Sequence, residues 1–383
     1  MTMSVHERIG EKIKGQAGSR WQIPTPALVL DLDAFERNLQ KMADHCEANG
    51  IGLRPHAKTH KSAEIAKRQM AAGAVGVCCA KLAEAEALAA RGLEKILLTS
   101  PLATAGSIAR ATELNDVIGE LIIVVDHIDG ARDLNDAAKA AGRKQRVLID
   151  IDPGLHRTGI GLDAGFDALA EFIKDCDGLQ FLGIQGYAGH LMHEHDADKR
   201  REQSLGVMAM LAEAKARVIS LGLECPIVTG GGTGTYDIDP LANVLTDLQG
   251  GSYIFMDRQY AEVPAGNGFI PFEPSLFVQM TVISVNTPGI VTTDAGFKSF
   301  ATDADAPLIH GGAPEGAAYF FFGDEQGGIA FADAAKDSLA RGATVTCVVP
   351  HCDPTVNLYD WYHVVRGDEL IALWPIDARG CAQ

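Results

Sequence analysis

A lysine in the segment RPHAKTHK (54–61) is the first residue of this sequence whose surroundings suggest chemistry. Lys58 stands among Arg54, His56, His60 and Lys61, and a cationic neighbourhood lowers an amine's pKa and favours its neutral, nucleophilic form. Such an amine attacks a carbonyl carbon to form a Schiff base. The glycine-rich segment TGGGTGTYD (229–237) lets backbone N–H groups approach an anion closely, as phosphate sites require, and GGS (250–252) introduces the last of the barrel strands. A Schiff-base lysine beside a phosphate cradle is what pyridoxal phosphate needs, since the amine holds the reactive carbon and the cradle anchors the ring. The segment PHCD (350–353) adds a second kind of chemistry. His351 and Asp353 alternate in what reads as an extended segment, so both side chains face one way and can share an ion, with Cys352 facing the other way. Asp353 is a hard oxygen donor and shifts preference toward manganese, magnesium or calcium rather than zinc. Two protein ligands leave coordination positions for water and substrate oxygens, as a catalytic ion requires. The histidines of HLMHEH (190–195) lack the HExxH spacing of a zinc helix.

Eight short apolar runs, at 53–57, 75–79, 96–99, 121–126, 147–152, 181–187, 227–229 and 253–256, would position these groups. Between them lie Ala-, Leu-, Glu- and Lys-rich stretches such as 62–73, 81–92 and 204–222, each closed by glycine as helices often are. The alternation predicts a (β/α)8 barrel over residues 33–257, with an open doubly wound sheet as the competing arrangement. Active sites of such barrels lie at the carboxyl ends of the strands, where RPHAKTHK, DIDPGLHRTGIG, QGYAGHLMHEH and TGGGTGTYD all fall. A ninth strand, PALVLDLD (26–33), precedes the barrel and leads into a helix with Asp33 and Glu36 spaced as a capping box. After residue 265 the pattern turns to alternating and β-branched runs, with GDEL (367–370) as a hairpin turn. Residues 258–383 are therefore expected to form a β domain carrying the metal ligands.

Composition narrows the partners. With 33 Lys plus Arg against 50 Asp plus Glu, the net charge of −17 repels phosphate backbones and anionic membranes, so no nucleic acid and no membrane partner is expected. No apolar run reaches the length of a membrane span, and the start MTMSVHERIGEKIKG lacks a secretory core, so the chain reads as cytoplasmic. Eight scattered cysteines without a CxxC pair read as reduced thiols.

The segments RPHAKTHKSAEIA, GAVGVCCAKLAEAEAL, QGYAGHLMH, TGGGTGTYD, LQGGSYIFMD, TDAGFK and PHCDPTVNLYDW resemble, in order, those of the D-threonine aldolase and D-serine dehydratase group, whose architecture is that of the alanine racemases. The resemblance spans nearly the whole chain and is nearest to the metal-dependent D-threonine and 3-hydroxyaspartate aldolases. It implies a barrel whose first strand carries the cofactor lysine, a β domain built from the first strand and the C-terminal third (residues 1–32 plus 258–383), and a homodimer. Carried over by position, Lys58 would bind pyridoxal phosphate covalently and Arg157 would contact its phenolic oxygen. Gln185 and Tyr187 would line the ring; Gly231, Gly232, Thr233, Gly251, Ser252 and Tyr253 would bind the phosphate. His193 matches an active-site histidine of the aldolases, and His351 and Asp353 match the metal ligands. Dehydratases of the group have cysteine where Asp353 stands. Asp294, Lys298, Asp324 and Glu325 are candidates for a supporting layer around the metal, and Gln326 stands where aldolase relatives usually have histidine. The activity implied is cleavage of a D-3-hydroxy amino acid, a small-molecule substrate, to glycine and an aldehyde. The alternatives are a dehydratase releasing a keto acid and ammonia, a non-catalytic pyridoxal phosphate carrier, and a metal hydrolase drawing on the 12 histidines.

Overall fold

The computed structural model of the chain describes residues 5–265, 268–269 and 272–383. The first four residues of the amino-terminal segment considered above for a leader lie outside the described residues. Strand β1 (Ala27–Asp31) leads into the helix Leu32–Ala48. That helix is capped by Asp31, whose carboxylate accepts the Ala34 N–H at 3.0 Å. The expected capping box is therefore not formed: Asp33 lies in the first turn and Glu36 just beyond it, and both instead receive the Arg366 guanidinium, at 2.7 and 2.9 Å.

Eight parallel strands follow: β2 (Gly52–Leu53), β3 (Val77–Cys79), β4 (Lys95–Leu98), β5 (Glu120–Val125), β6 (Gln145–Ile151), β7 (Leu179–Gly186), β8 (Ile227–Gly230) and β9 (Asp247–Leu248). Their spatial order is β2-β9-β8-β7-β6-β5-β4-β3. A bridge between His56 and Cys78, with the Cys78 N–H on the Pro55 carbonyl at 2.9 Å, brings β3 back to the chain leaving β2 and closes the ring. Side chains alternate along the strands. Cys78, Leu97, Ile122, Val124 and Leu148 cluster on the inner face, while Val77, Ile96, Leu98, Ile123 and Ile149 pack outward into the main core. The outer ring is made by the helices between the strands, from Ala63–Ala71 to Ala197–Ser220.

Two strand expectations are corrected. Residues 253–256 are not the eighth strand, because Ser252–Ile254 is a 3-10 turn and β9 takes the place. The β9 strand escapes an apolar-run search because half of it is a carboxylate: Asp247 is buried against Arg54 at 3.1 Å and the Thr229 hydroxyl at 2.5 Å. The first strand stops at Leu53, since Pro55 offers no N–H to a ladder, and Ala57–Thr59 forms a 3-10 turn. Lys58 thus sits on a turn beyond the strand.

The second sheet is mostly antiparallel. After the helix Arg258–Ala261 and a short hairpin, β10 (Pro264–Ala265) and β11 (Gly268–Phe269), it is built from β12 (Leu276–Thr287), β13 (Ile290–Thr293), β14 (Leu308–Gly311), β15 (Ala318–Phe321), β16 (Gly327–Ala330), β17 (Thr344–Val348), β18 (Trp361–Arg366) and β19 (Glu369–Pro375). Its main path runs β15-β16-β13-β12-β1-β18-β19, with β17 pairing β12 and β14. Strand β1 lies between β12, antiparallel, and β18, parallel, so the strand that precedes the barrel belongs to this sheet. The turn at 367–368 joins β18 to β19 as a hairpin. Among the described residues no helix is long and apolar enough to cross a membrane, and all eight cysteines are free thiols.

One carboxylate ties the two sheets together at the site. Asp257, fully buried, accepts the Tyr260 N–H with Oδ1 at 3.0 Å and the Cys352 N–H with Oδ2 at 2.9 Å. Beside it the Arg258 and Gln259 N–H groups donate to the Val349 and Pro350 carbonyls, at 3.1 and 3.3 Å. Asp257→Ala would leave two buried N–H groups without acceptors, at about 1–3 kcal/mol each. The expected outcome in urea denaturation is a loss of about 2–4 kcal/mol, with Asp257→Asn, which keeps one acceptor, losing less.

Candidate active site

Three chain segments meet where the barrel's carboxyl end faces the second sheet. The 3-10 turn after β2 brings Lys58, the end of β17 brings His351 and Asp353, and the loop after β7 brings His193. The Lys58 Nζ lies 2.7 Å from Asp353 Oδ2. The extended-segment argument for the His351 and Asp353 pair does not hold, because β17 ends at Val348 and a short helix, Cys352–Val356, begins directly after His351. The two side chains take separate partners: Asp353 receives Lys58, and His351 Nδ1 is 2.7 Å from Asp303 Oδ2. They remain close enough for His351 to help hold the Asp353 carboxyl below the usual range.

The electrostatics of the lysine reverse the sequence reading. Asp353 raises the Lys58 amine above its ordinary value, outweighing burial, so the amine is held protonated. Its cationic neighbours are each neutralised. Arg54 pairs with Asp247, Lys61 pairs with the buried Glu84 at 3.2 Å, burial holds His56 well below the histidine range, and burial takes His60 down to about 4. Burial disfavours charge on Asp353 too, but Lys58 and His351 overcome it and keep it ionised.

Beside Lys58 opens a cavity of about 220 Å³ lined by His56, Lys58, Arg157, Gln185, Tyr187 and Gln249 among others. The Arg157 guanidinium stands over the Tyr187 ring, 5.6 Å from its centroid. Gln185 is fixed at both ends of its amide: it donates to Asp150 at 3.0 Å and accepts from Gln249 at 3.1 Å. The Thr158 hydroxyl donates to the same Asp150, whose carboxyl is pushed up to about 6 by burial. Asp150, Thr158 and Gln249 were not singled out from the sequence. Their only signal was position, Asp150 near the end of β6 and Gln249 directly after β9.

The two glycine-rich turns lie against each other, because the Thr233 hydroxyl accepts the Tyr253 N–H at 3.0 Å. Gly231 has φ +67°, and a side chain there would run into the Asp239 carboxylate, while one at Gly251 would come within 2.6 Å of the Thr59 hydroxyl. Among the described residues no protein acceptor takes the N–H of Gly232, Thr233, Gly251 or Ser252, and three of these four residues are buried. Backbone donors left open in this way fit a phosphate. Tyr253 plays a different part from its neighbours. Its N–H is given to Thr233 and its hydroxyl receives Gln69 Nε2 at 3.0 Å, so it braces the turn.

His193 packs against Tyr260, ring centroids 4.4 Å apart, and its Nδ1 is buried without a partner. Burial, with the nearby charge of His351 and His195, lowers its pKa to about 4, so it is a neutral proton acceptor at pH 7. A second cavity of about 510 Å³ opens from His193 toward Arg258, Asp303 and Pro350. The residues considered as supports for a metal do not reach it. Asp294 accepts the Thr25 hydroxyl and the Thr281 N–H, and Lys298 pairs with Glu325, none bonding to His351 or Asp353. Gln326 closes the turn between β15 and β16, its carbonyl accepting the Phe322 and Gly323 N–H groups. The residue that does touch His351, Asp303, lies in an acidic loop with no spacing to mark it. Among the described residues no three His, Cys, Asp or Glu side chains converge as a closed metal cage. One imidazole and one ionised carboxylate fit an open ion site completed by water and substrate.

Residues 30–259 match the family model of the alanine racemase N-terminal domain, and residues 275–365 match that of a serine dehydratase domain. The chain is 34% identical over 365 residues to 3-hydroxy-D-aspartate aldolase of Paracoccus denitrificans (strain Pd 1222), covering 94% of this chain and 93% of that protein. It is 36% identical over 359 residues to D-threonine aldolase of an Arthrobacter species, again covering 94% and 93%. Among solved structures, D-threonine aldolase from Filomicrobium marinum superimposes with a TM-score of 0.90 at 37% identity, covering 95% of this chain and 97% of that one.

The Lys58–Asp353 pair makes a direct prediction. In the cofactor-free protein Asp353→Asn removes the charge that keeps the amine protonated, so Lys58 reacts faster with an amine-directed reagent at pH 8–9. The gain is about tenfold for each pKa unit the amine falls, read by peptide mass mapping of the 54–61 segment.

Proposed function

The chain belongs to the family uniting an alanine racemase N-terminal domain with a serine dehydratase domain, and from that premise we propose that it is an aldolase of D-configured 3-hydroxy amino acids. The products are glycine and an aldehyde: acetaldehyde from threonine, glyoxylate from 3-hydroxyaspartate. The observation that supports the reading is the meeting of Lys58 and Asp353 at 2.7 Å, since one site then offers an amine for a Schiff base and a carboxylate for an ion. Asp353 in place of a softer thiolate favours manganese, magnesium or calcium, and favours the aldolase over the dehydratase.

Pyridoxal phosphate supplies an electron sink for the bond at Cα. A divalent ion on His351 and Asp353 supplies a Lewis acid that makes the β-hydroxyl easier to deprotonate. The chain does the rest. Lys58 must leave Asp353 to hold the cofactor, which frees that carboxylate for the ion. The N–H groups of Gly232, Thr233, Gly251 and Ser252 hold the phosphate; Gly231 lets the turn bend and Tyr253 braces it. Arg157 and Tyr187 flank the ring, and Gln185, locked by Asp150 and Gln249, keeps its edge in place. His193, which is neutral at pH 7 and lines the outer cavity, takes the β-hydroxyl proton, and the Cα–Cβ bond then breaks with its electron pair left on the Cα side. The aldehyde fragment leaves through the cavity beyond His193.

The purified protein is expected to absorb near about 420 nm, to lose the band in Lys58→Ala, and to release acetaldehyde from D-threonine in an EDTA-sensitive reaction. Absence of the band after adding pyridoxal phosphate would overturn the reading, and 2-oxobutanoate with ammonia would replace it by a dehydratase. A second expectation follows from His193. Its pKa of about 4 leaves the base unprotonated down to mildly acidic pH, so the acid limb of kcat/KM due to this residue lies below about pH 5 instead of near 6.5. A pH profile of wild type and His193→Asn checks this.

A further inference from the structure

We infer that Asp303 is a positioning residue for the metal centre, fixing the His351 ring in the tautomer and orientation that offer Nε2 to the ion. The inference rests on the reading of His351 as a ligand. Asp303 Oδ2 lies 2.7 Å from His351 Nδ1, a geometry in which the carboxylate oxygen accepts from Nδ1–H and leaves Nε2 to offer its lone pair. The acidic loop is anchored at both ends for this contact. At one end the Ala301 N–H donates to the Thr355 hydroxyl at 3.0 Å, and that same hydroxyl donates to the His351 carbonyl at 2.7 Å. At the other, Arg258 Nη1 donates to the Ala306 carbonyl at 2.6 Å. Thr355 thus joins the loop to the backbone of His351, and Asp303 joins it to the ring.

The loop has a second carboxylate, Asp305, but it turns to Arg258 at 3.4 Å. Asp303 is half exposed and makes no other ion pair among the described residues, so the fold has little stake in its charge. A carboxylate on the far nitrogen of a metal-binding histidine fixes the ring and raises its basicity, and its loss weakens metal binding by about 10–100-fold.

The test is Mn²⁺ titration of the cofactor-loaded protein after chelator treatment, with free Mn²⁺ read by electron paramagnetic resonance. Asp303→Ala is expected to bind about 10–100-fold more weakly at unchanged Tm, Asp303→Glu to recover to within about threefold, and Asp305→Asn to match wild type. In ¹⁵N-histidine spectra of the metal-free protein, His351 is expected to be protonated on Nδ1, a signature that Asp303→Ala loses. Wild-type affinity in Asp303→Ala beside a large loss in His351→Ala would overturn the role of Asp303 and leave the metal site standing. Wild-type affinity in His351→Ala would remove the ligand reading and this inference with it.

Discussion

The buried carboxylate of Asp257 sets where the chemistry can happen. It accepts one N–H from the helix that ends the barrel segment and one from the helix that carries Asp353, and two further backbone bonds run beside it. With both oxygens committed in a fully buried setting, the junction has no slack: moving the PHCD segment would strand polar groups away from water. Lys58 and Asp353 are far apart in sequence, and they meet where this junction, together with the Tyr362 hydroxyl on the His60 carbonyl at 2.6 Å, holds the second sheet against the barrel mouth.

Around that junction the charges are sorted with some economy. Arg54, Lys61 and the two histidines flanking Lys58 would together oppose any further cation, yet each is paired or left neutral by burial. The field near Lys58 is therefore governed by one partner, Asp353. The polar network behind the cavity follows the same logic. Asp150 is buried and its proton affinity raised, and its carboxylate is met by two donors, Gln185 Nε2 and the Thr158 hydroxyl, the first of which it orients. Groups bonded at every polar atom give a rigid wall.

Much of this was legible in the sequence because strands of a parallel barrel are buried on both faces and read as unbroken apolar runs. β3 to β8 show themselves in that way, and the glycine runs mark turns that pack closely against neighbouring protein atoms. What the sequence hid has a common cause: it depends on pairings across the fold. β9 is half carboxylate and is acceptable inside only because Arg54 reaches it. The amine of Lys58 looked depressed because its cationic neighbours are local, whereas the carboxylate that raises it is nearly three hundred residues away. The His351 and Asp353 pair was read as strand because nothing in PHCD announces a helix start, and the Asp257 acceptor that caps the first N–H lies on another element. Asp303 had no signal at all.

The placement of β1 has a consequence for how the chain reaches this state. The strand is made early but its neighbours are β12 and β18, and its register to β18 pairs Val29 with His363 and Asp31 with Val365. During synthesis it emerges long before either partner exists, while the barrel between them can complete its own sequential contacts. The second sheet closes by the most sequence-distant strand pairing among the described residues, a search that is slow by its topology. Until it does, β1 is an unpaired edge, apolar from Ala27 to Leu30, and the residues that would hold a metal have not been delivered to the lysine. Assembly of the site thus waits on synthesis of β18, and the interval between barrel formation and sheet closure is the period in which the nascent chain is most exposed to aggregation.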